Sequence, residues 1–280
     1  MSSIVFDMIA REEKRQSRTI ELIASENFVS EDIKKAVGSC LTNKYSEGYP
    51  AVRTLGCGNS GRYYGGCSVI DDIEEYCCNK WREVFKIHYH VNVQPHSGSS
   101  ANMAAYQAFL KPGDRVLSMS LDEGGHLFHG SAVNFSGKLY EFKHYSLTKQ
   151  GVIDYEALEL LVREWRPHMV VAGASAYSRE TDFARIKAII DSCSDNEYKP
   201  WFMVDMAHIA GLVAVGEHPS PFNYADVITT TTHKTLRGPR GALMFCRPEY
   251  AKKVDSIVLH LILSAVKVES KHCGRVLIKH

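Results

Sequence analysis

Residues 229–241 have the sequence TTTTHKTLRGPRG, in which a run of threonines leads to a lysine and then to a glycine-rich turn. Threonine is β-branched and favours strands, so we predict that a strand ends just before Lys234. A lysine at that point can form an imine with a carbonyl cofactor such as pyridoxal phosphate. For an isolated lysine the simpler interpretation, a solvated residue after a buried strand, would be the better one.

A second residue at the end of a strand favours the cofactor interpretation. Residues 201–208, WFMVDMAH, place Asp205 at the end of another apolar strand. A lysine amine and a carboxylate for the ring nitrogen are the two protein groups that pyridoxal phosphate chemistry needs most. Taken alone, Asp205 would more often cap a helix, and His208 would more often be structural.

Apolar strands alternate with helical patterns along the chain, which predicts an α/β fold with a mostly parallel sheet flanked by helices. The predicted strands are residues 116–119, 169–173, 201–204, 227–230 and 242–245, and the predicted helices include 101–110, 155–165 and 183–192. Ser175, Asp205, His208 and Lys234 then follow the carboxyl ends of strands. Open α/β sheets bind their ligands at that edge.

A turn of small residues precedes the helix predicted at 101–110. Ser97, Gly98 and Ser99 would let the backbone approach a phosphate, which the free N–H groups at the helix start would bind. As a bare motif Ser-Gly-Ser is weak, because it is usually only a turn and a helix cap.

The amino-acid composition is typical of a soluble globular protein. Its 280 residues are 45% hydrophobic and 23% charged, and the net charge of +1 makes no electrostatic case for nucleic acid or an anionic membrane. The eight cysteines include no CxxC pair, so we predict reduced thiols and no metal site. No signal-peptide pattern is evident, and no apolar stretch reaches the roughly twenty residues of a membrane span. We therefore expect a cytoplasmic protein.

Several blocks of sequence together resemble the serine hydroxymethyltransferase family, whose members are pyridoxal phosphate enzymes of fold type I, like aspartate aminotransferase. Besides the two segments quoted above, the blocks are ELIASEN at 21–27, NKYSEGYP at 43–50, RYYGG at 62–66, QPHSGS at 94–99 and GGHL at 124–127. The resemblance runs from about Arg11 to about Ser256. It implies a helical arm at 1–30 that embraces a partner subunit, and a large cofactor-binding domain at 31–256.

The resemblance also implies roles for residues that match the family's motifs. Lys234 would carry the cofactor, residues 97–99 would hold its phosphate, and Asp205 would pair with the protonated ring nitrogen.

Other matching residues would surround the same cofactor. Ser175 and His208 would bond near its phenolic oxygen, His126 would stack on its exposed face, and Arg240 would lie at the same site. His129, close to His126 in the sequence, receives no role.

A second group of residues comes from the block at 43–50 and from neighbouring blocks. By resemblance, Glu47 moves protons between the substrate hydroxyl and folate, and Tyr45 reaches the cofactor phosphate of the neighbouring subunit. Tyr64 resembles a tyrosine close to the substrate Cα, and Ser25 resembles a serine that touches the substrate carboxylate. The reaction implied is the interconversion of serine and glycine with transfer of a one-carbon unit to tetrahydrofolate, in a homodimer or homotetramer.

The sequence departs from the family's pattern in two places. Residues 51–61 form a longer link than the family has, and this link separates Glu47 from Tyr64. After Ser256 the family continues into a C-terminal domain with an arginine for the substrate carboxylate, whereas residues 257–280 form a tail that does not match it. We therefore expect the small domain to be absent and turnover to be impaired.

Two alternatives remain open beside the family's activity. The chain could be a catalytically inactive, truncated copy that binds pyridoxal phosphate or dimerises with a full-length copy. It could also be another pyridoxal phosphate aldolase that acts on 3-hydroxy amino acids without folate. The block at 43–50 favours the folate enzyme over this last alternative.

Overall fold

A computed structural model describes residues 3–50 and 61–262. Its helices are α1 (Ile4–Gln16), α2 (Glu31–Val37), α3 (Ser68–Phe85), α4 (Gly98–Phe109), α5 (Phe135–Leu139), α6 (Tyr155–Trp165), α7 (Phe183–Ser192), α8 (Ala210–Val215) and α9 (Ala251–Ile257). Its strands are β1 (Gly48–Tyr49), β2 (Gly61–Arg62), β3 (His90–Asn92), β4 (Arg115–Met119), β5 (Glu141–Tyr145), β6 (Met169–Ala172), β7 (Trp201–Asp205), β8 (Val227–Thr231) and β9 (Ala242–Cys246). Most of the longer link and most of the tail, residues 51–60 and 263–280, lie outside the described residues.

The central sheet has seven strands in the order β3-β9-β8-β7-β6-β4-β5. The strands from β5 to β8 pair in parallel, while β9 runs antiparallel to its neighbours β8 and β3. The predicted mostly parallel sheet flanked by helices is therefore confirmed. The sequence patterns miss β3, which has only three residues, and β5, an edge strand whose polar sequence EFKHY hides the apolar signal.

Successive residues of each strand point to opposite faces of the sheet, and each face has its own apolar core. On one face Val170 and Ala172 pack with side chains of α3, α6, α7 and α8. On the other face Met169 and Val171 pack with α4 and α9. The sheet is thus a buried layer between two layers of helices, which keeps its strand ends in fixed positions.

Three neighbouring parallel strands end at the same edge of this sheet. The register pairs Ala172 of β6 with Val204 of β7, and Asp205 of β7 with Thr229 of β8. The segments that follow β6, β7 and β8 therefore start side by side, as the sequence predicts.

Helix α1 covers little of the rest of the chain. None of its side chains is buried, and Ile4, Phe6 and Met8 are 69%, 67% and 54% exposed. The helix ends at Gln16, and residues 20–29 contain no helix, so the helical part is shorter than the arm predicted at 1–30. The hydroxyl of Ser17 donates to the carbonyl of Lys14 and competes with continued helix pairing.

Strands β1 and β2 bring together the two ends of the longer link. Gly48 lies opposite Arg62, and Tyr49 lies opposite Gly61. Gly48 has a φ of +96°, and a Cβ there would lie 2.2 Å from the carbonyl oxygen of Gly61, so this pairing requires a glycine. The described residues on either side of 51–60 are therefore held next to each other.

Among the described cysteines, Cys40, Cys67, Cys78 and Cys193 are free thiols. Across residues 3–50 and 61–262, we find no helix with both the length and the apolar character that crossing a membrane requires.

Candidate active site

A cavity of about 280 Å³ opens at the carboxyl ends of β6, β7 and β8. Its wall contains the residues predicted at the cofactor, with the exception of Tyr45; these are Ser97, Gly98, Ser99, His126, Ser175, Asp205, His208, Lys234 and Arg240. Ser25 lines a neighbouring cavity of about 850 Å³, which shares Arg240 with the first. Tyr45, Glu47 and Tyr64 are not among the lining residues of either cavity.

Lys234 lies just after β8 on a tight turn that a backbone hydrogen bond from Arg237 to Lys234 closes at 3.0 Å. Its Nζ lies 3.0 Å from Nε2 of His208. Burial lowers the pKa of Lys234, and the nearby charge of Asp205 offsets this only in part. More of this amine is therefore neutral, and nucleophilic, at neutral pH than in an ordinary lysine.

Asp205 ends β7 with its carboxylate at the cavity. Oδ1 accepts a hydrogen bond from the backbone N–H of Ala207 at 3.0 Å, and Oδ2 accepts one from Nδ2 of Asn102 at 2.8 Å. Burial opposes ionisation, but the contacts with His129 and Asn102 outweigh it and hold the pKa of Asp205 well below its usual value. The cavity therefore contains a fixed negative charge, as a partner for a protonated ring nitrogen must provide.

His129, to which the sequence assigns no role, is a buried part of this site. It is 2% exposed, and its Nε2 lies 3.4 Å from Oδ2 of Asp205, at the outer limit of a hydrogen bond. Its Nδ1 lies 2.7 Å from the hydroxyl of Tyr106. The sequence offers one signal for this placement: a turn after His126 would bring a histidine three residues later to the same side, and the backbone N–H of His129 does donate to the carbonyl of His126 at 2.9 Å.

His126 forms one wall of the cavity. Its ring stacks on Phe128 with centroids 5.1 Å apart and an angle of 18° between the planes. Burial lowers the pKa of His126 to about 4, so the imidazole is neutral at neutral pH. A flat, neutral ring in this place is suited to stacking on an aromatic ligand.

Helix α4 begins at the cavity and offers a site for an anion. Ser97 is its N-cap, and the Ser97 hydroxyl accepts a hydrogen bond from the backbone N–H of Ser100 at 3.2 Å. The backbone N–H groups of Gly98 and Ser99 lie in the first turn, where a helix provides no carbonyl partners. Together with the helix dipole, these groups favour a phosphate at this end of the cavity.

The cavity also contains buried polar atoms that a ligand would satisfy. Oγ of Ser175 and Oγ1 of Thr231 are buried and lack hydrogen-bond partners, which is unusual because buried polar atoms are normally paired. A Cβ on Gly98 would lie 2.8 Å from Cγ2 of Thr231, so the glycine lets the start of α4 pack closely against this threonine. Pyridoxal phosphate fits this cavity, which offers it an amine, a carboxylate, a flat wall and a helix start that favours a phosphate.

The site also has a spacing that a metal ion could use. His126, His129 and Asp205 place ligand atoms within 4.8 Å of one another. The positive charge of Lys234 lies near Asp205 and would oppose a cation there. An organic cofactor with a protonated ring nitrogen therefore explains this group better.

Glu47 and Tyr64 remain neighbours despite the longer link between them. The backbone N–H of Tyr63 donates to the carbonyl of Glu47 at 3.1 Å, and the rings of Tyr45 and Tyr64 pack edge to face with centroids 5.7 Å apart. Tyr45 and Tyr64 are 56% and 45% exposed. The link therefore does not pull this second group apart, because β1 and β2 hold its ends together.

Arg62 anchors this second group to the domain. Its side chain is 5% exposed and pairs with two carboxylates of α3, Asp71 and Glu74, at 2.7 Å each. Its Nη1 also donates to the carbonyl oxygens of Ser46 and Gly48, both at 2.6 Å. These two carbonyls flank Glu47, so the charge network of Arg62 fixes the backbone from which that carboxylate projects.

We expect Gly173→Ala to destabilise the domain by at least about 2 kcal/mol, because it combines backbone strain with a clash. Gly173 has a φ of +125°, and a Cβ there would lie 2.1 Å from the carbonyl oxygen of Asp205. Urea unfolding measures the loss. Gly151→Ala is the matched control, since Gly151 also has a positive φ, +73°, but nothing lies within 4 Å of its Cβ position. Equal losses in the two variants would show that the contact with Asp205 does not matter.

The chain is similar to known proteins over most of its length. The family model described as "Serine hydroxymethyltransferase" matches residues 1–262, which extends past the boundary predicted at 256. A serine hydroxymethyltransferase of Leuconostoc mesenteroides subsp. mesenteroides is 53% identical over 259 residues, which cover 92% of this chain and 60% of that protein. This chain thus spans about 60% of the length of the curated relative that it matches. A match of this extent, on a fold type I sheet with the expected groups at its strand ends, shows that the chain belongs to the serine hydroxymethyltransferase family.

Proposed function

We propose that this chain provides the cofactor site of a glycine hydroxymethyltransferase, which interconverts serine and glycine with tetrahydrofolate as the one-carbon acceptor. The observation that carries the proposal is the meeting of Lys234, the ionised Asp205 and the start of α4 in one cavity. The name of the Leuconostoc relative supports the same activity.

Pyridoxal phosphate is the cofactor for which we propose this cavity. When bound, it supplies an electron sink for the negative charge that develops when a bond to the substrate Cα breaks. The amine of Lys234 would hold its aldehyde carbon, and the N–H groups of Gly98 and Ser99 would hold its phosphate. Asp205 would keep the ring nitrogen protonated, because its charge is fixed in a largely buried position.

Other residues of the cavity would orient the ring and exclude water. His208 and Ser175 would face the phenolic oxygen, and the buried hydroxyl of Ser175 has a proton to donate. Burial and the charge of Lys234 lower the pKa of His208, so its imidazole is neutral and can exchange a proton with the amine 3.0 Å away. His126 would cover the exposed face, and Arg240 would add a positive charge at the entrance.

We infer that Tyr45, Glu47 and Tyr64 act in the cavity of another copy of the chain, in a homodimer or homotetramer. Tyr45 and Tyr64 are exposed, and the apolar side chains of α1 are uncovered, as expected of surfaces that meet a partner. Glu47 would then exchange protons with the substrate hydroxyl and folate, next to Tyr64 at the substrate Cα and Tyr45 at the phosphate. Ser25, in the larger neighbouring cavity, would contact the substrate carboxylate.

The proposal is tested by two measurements on the purified full chain. Addition of pyridoxal phosphate should produce the visible absorbance band of a lysine-bound cofactor, and serine with tetrahydrofolate should then yield glycine. Absence of the band refutes the cofactor site. A band without turnover supports the alternative of a non-catalytic, cofactor-binding chain. Cleavage of a 3-hydroxy amino acid at an equal rate with and without folate supports the aldolase alternative.

Replacing Asp205 by asparagine should lower turnover far more than cofactor affinity. A neutral amide cannot stabilise the protonated ring nitrogen, whereas the phosphate contacts at α4 remain. We expect a loss in kcat on the order of a hundredfold or more, as for other removed groups that stabilise charge in a transition state. Single-turnover cleavage of a 3-hydroxy amino acid by the cofactor-loaded variant measures it. Asp182→Asn, which keeps a helix-capping residue at the start of α7, is the control and should react like the wild type. Unchanged cleavage by the Asp205 variant would refute this role.

A further inference from the structure

The carboxylate of Asp205 is held by groups from different parts of the chain. Its Oδ1 is fixed locally by the backbone N–H of Ala207 at 3.0 Å. Its Oδ2 receives the amide of Asn102 at 2.8 Å, a shorter contact than the 3.4 Å to Nε2 of His129. Of these side-chain contacts, the one from Asn102 has the geometry of a strong, charge-assisted hydrogen bond.

The orientation of the Asn102 amide is itself determined by a second hydrogen bond. The hydroxyl of Thr229 donates to Oδ1 of Asn102 at 2.6 Å. The oxygen of the amide is therefore engaged on the side of Thr229, and its N–H₂ group must face Asp205. The opposite orientation would turn the amide oxygen toward a carboxylate and leave both without a donor. Both Asn102 and Thr229 are 1% exposed, so water has little access to replace either bond.

The fold explains why these residues meet. The register of β7 and β8 places Asp205 beside Thr229, and the backbone N–H of Met206 donates to the carbonyl of Thr229 at 2.9 Å. Helix α4 packs across these strands and places Asn102 against both side chains. The same helix offers its free N–H groups at Gly98, four residues earlier, which is about 6 Å along the axis. One rigid helix thus contacts both the phosphate end and the ring-nitrogen end of the cavity.

We propose that Asn102, oriented by Thr229, is a positioning residue that fixes the Asp205 carboxylate for the ring nitrogen of the cofactor. This inference rests on the proposed function, since it concerns the pyridoxal phosphate site. It adds to that function a chain of hydrogen bonds that runs from Thr229 on β8 through Asn102 on α4 to Asp205 on β7.

The proposal predicts how the cofactor affinity of a variant without the Asn102 donor changes with pH. Burial raises the pKa of Asp205, and the contacts with His129 together with the hydrogen bond from Asn102 lower it by more. Loss of the Asn102 donor should therefore raise this pKa, and the variant carboxyl should take up a proton as the pH falls. A protonated Asp205 cannot pair with a protonated ring nitrogen, so cofactor affinity in the variant should fall further at acidic pH. The titratable groups that face Asp205 are unchanged in the variants and contribute equally to all of them: His126, His129, His208, Lys234 and Tyr106.

The test compares three variants of the full chain by absorbance titration with pyridoxal phosphate. Asn102→Leu removes the donor and should raise the Kd about tenfold or more, the effect of one charge-assisted hydrogen bond. Thr229→Val keeps the donor but releases its orientation, so the Kd should rise by a smaller factor. Thr230→Val is the matched control on the same strand; its hydroxyl donates to the carbonyl of Thr231, at 3.3 Å, and the Kd of this variant should stay within about twofold of wild type.

Each titration is run near pH 8 and again at the lowest pH at which circular dichroism shows every variant still folded, because the pKa of Asp205 lies below the ordinary carboxyl range. The ratio of variant to wild-type Kd should grow at the lower pH for Asn102→Leu, a change that a merely structural defect would not produce. Wild-type affinity in folded Asn102→Leu and Thr229→Val proteins would overturn the proposal, as would an equal, pH-independent loss in all three variants. A wild-type chain that gives no absorbance band refutes the proposed function instead, so the two failures are distinguishable.

Discussion

Lys234→Ala should abolish the covalent bond between the chain and pyridoxal phosphate. The visible band should vanish, and borohydride reduction followed by mass spectrometry should find no adduct on the peptide that contains residue 234. The physical reason is the position of this amine, which follows β8 and lines the cavity, and which burial makes more nucleophilic than an ordinary lysine. The loss should be complete, because alanine has no group that could replace the amine.

Lys253→Ala is the matched control for this experiment. Burial lowers the pKa of Lys253 as well, but its Nζ lies over the rings of Phe109 and Trp201, away from the cavity. This variant should keep the full absorbance band and the reduced adduct. Equal labelling of the wild type and the Lys234 variant would disprove the assignment of the lysine.

Arg62→Met should lower the free energy of unfolding by about 3–5 kcal/mol, the usual effect of removing one partner from a buried ion pair. The guanidinium is 5% exposed and bonds to the carboxylates of Asp71 and Glu74 as well as to two carbonyl oxygens. Methionine cannot replace these ion pairs and hydrogen bonds. Urea unfolding of the full chain measures the loss.

Arg163→Met provides the comparison on the surface. Arg163 pairs with Glu159 at 2.7 Å, but the two side chains are 56% and 42% exposed, so the loss should be below about 1 kcal/mol. If both variants lose the same small amount, Arg62 is not the anchor that its geometry indicates. A large loss in the Arg62 variant alone would confirm that the segment carrying Glu47 depends on this one side chain.

The sequence predicts the strands that lie inside the sheet better than those at its margins. β6, β7 and β8 consist mostly of apolar or β-branched residues because helices cover both faces of the sheet, and such runs stand out in the sequence. β5 is mostly exposed at the edge of the sheet, with Tyr145 as its buried residue, and β3 is too short to show any period. The sequence pattern also does not predict that β9 runs antiparallel to its neighbours, since a run of apolar residues is the same in either strand direction.

The same contrast holds in the site. Residues that follow strand ends, such as Ser175, Asp205 and Lys234, could be predicted because topology alone brings them together. Asn102 and His129 contact Asp205 from a helix and a turn that are distant from it in sequence. The spacing from His126 is a signal for His129, but no spacing reveals Asn102. For Asn102 the available signal is an asparagine in a helix otherwise rich in alanine, because burying an amide is costly without a partner.

The pairing of β1 with β2 makes the geometry of the Glu47 segment independent of the length of the chain between Pro50 and Gly61. Insertions or deletions at that point would change the distance travelled by the chain but not the separation of its two ends. Such a position can accumulate length variation during evolution without a matching change elsewhere. It is also a natural place to divide the polypeptide, because the Arg62 network and the sheet would continue to join a fragment that ends there to one that begins there.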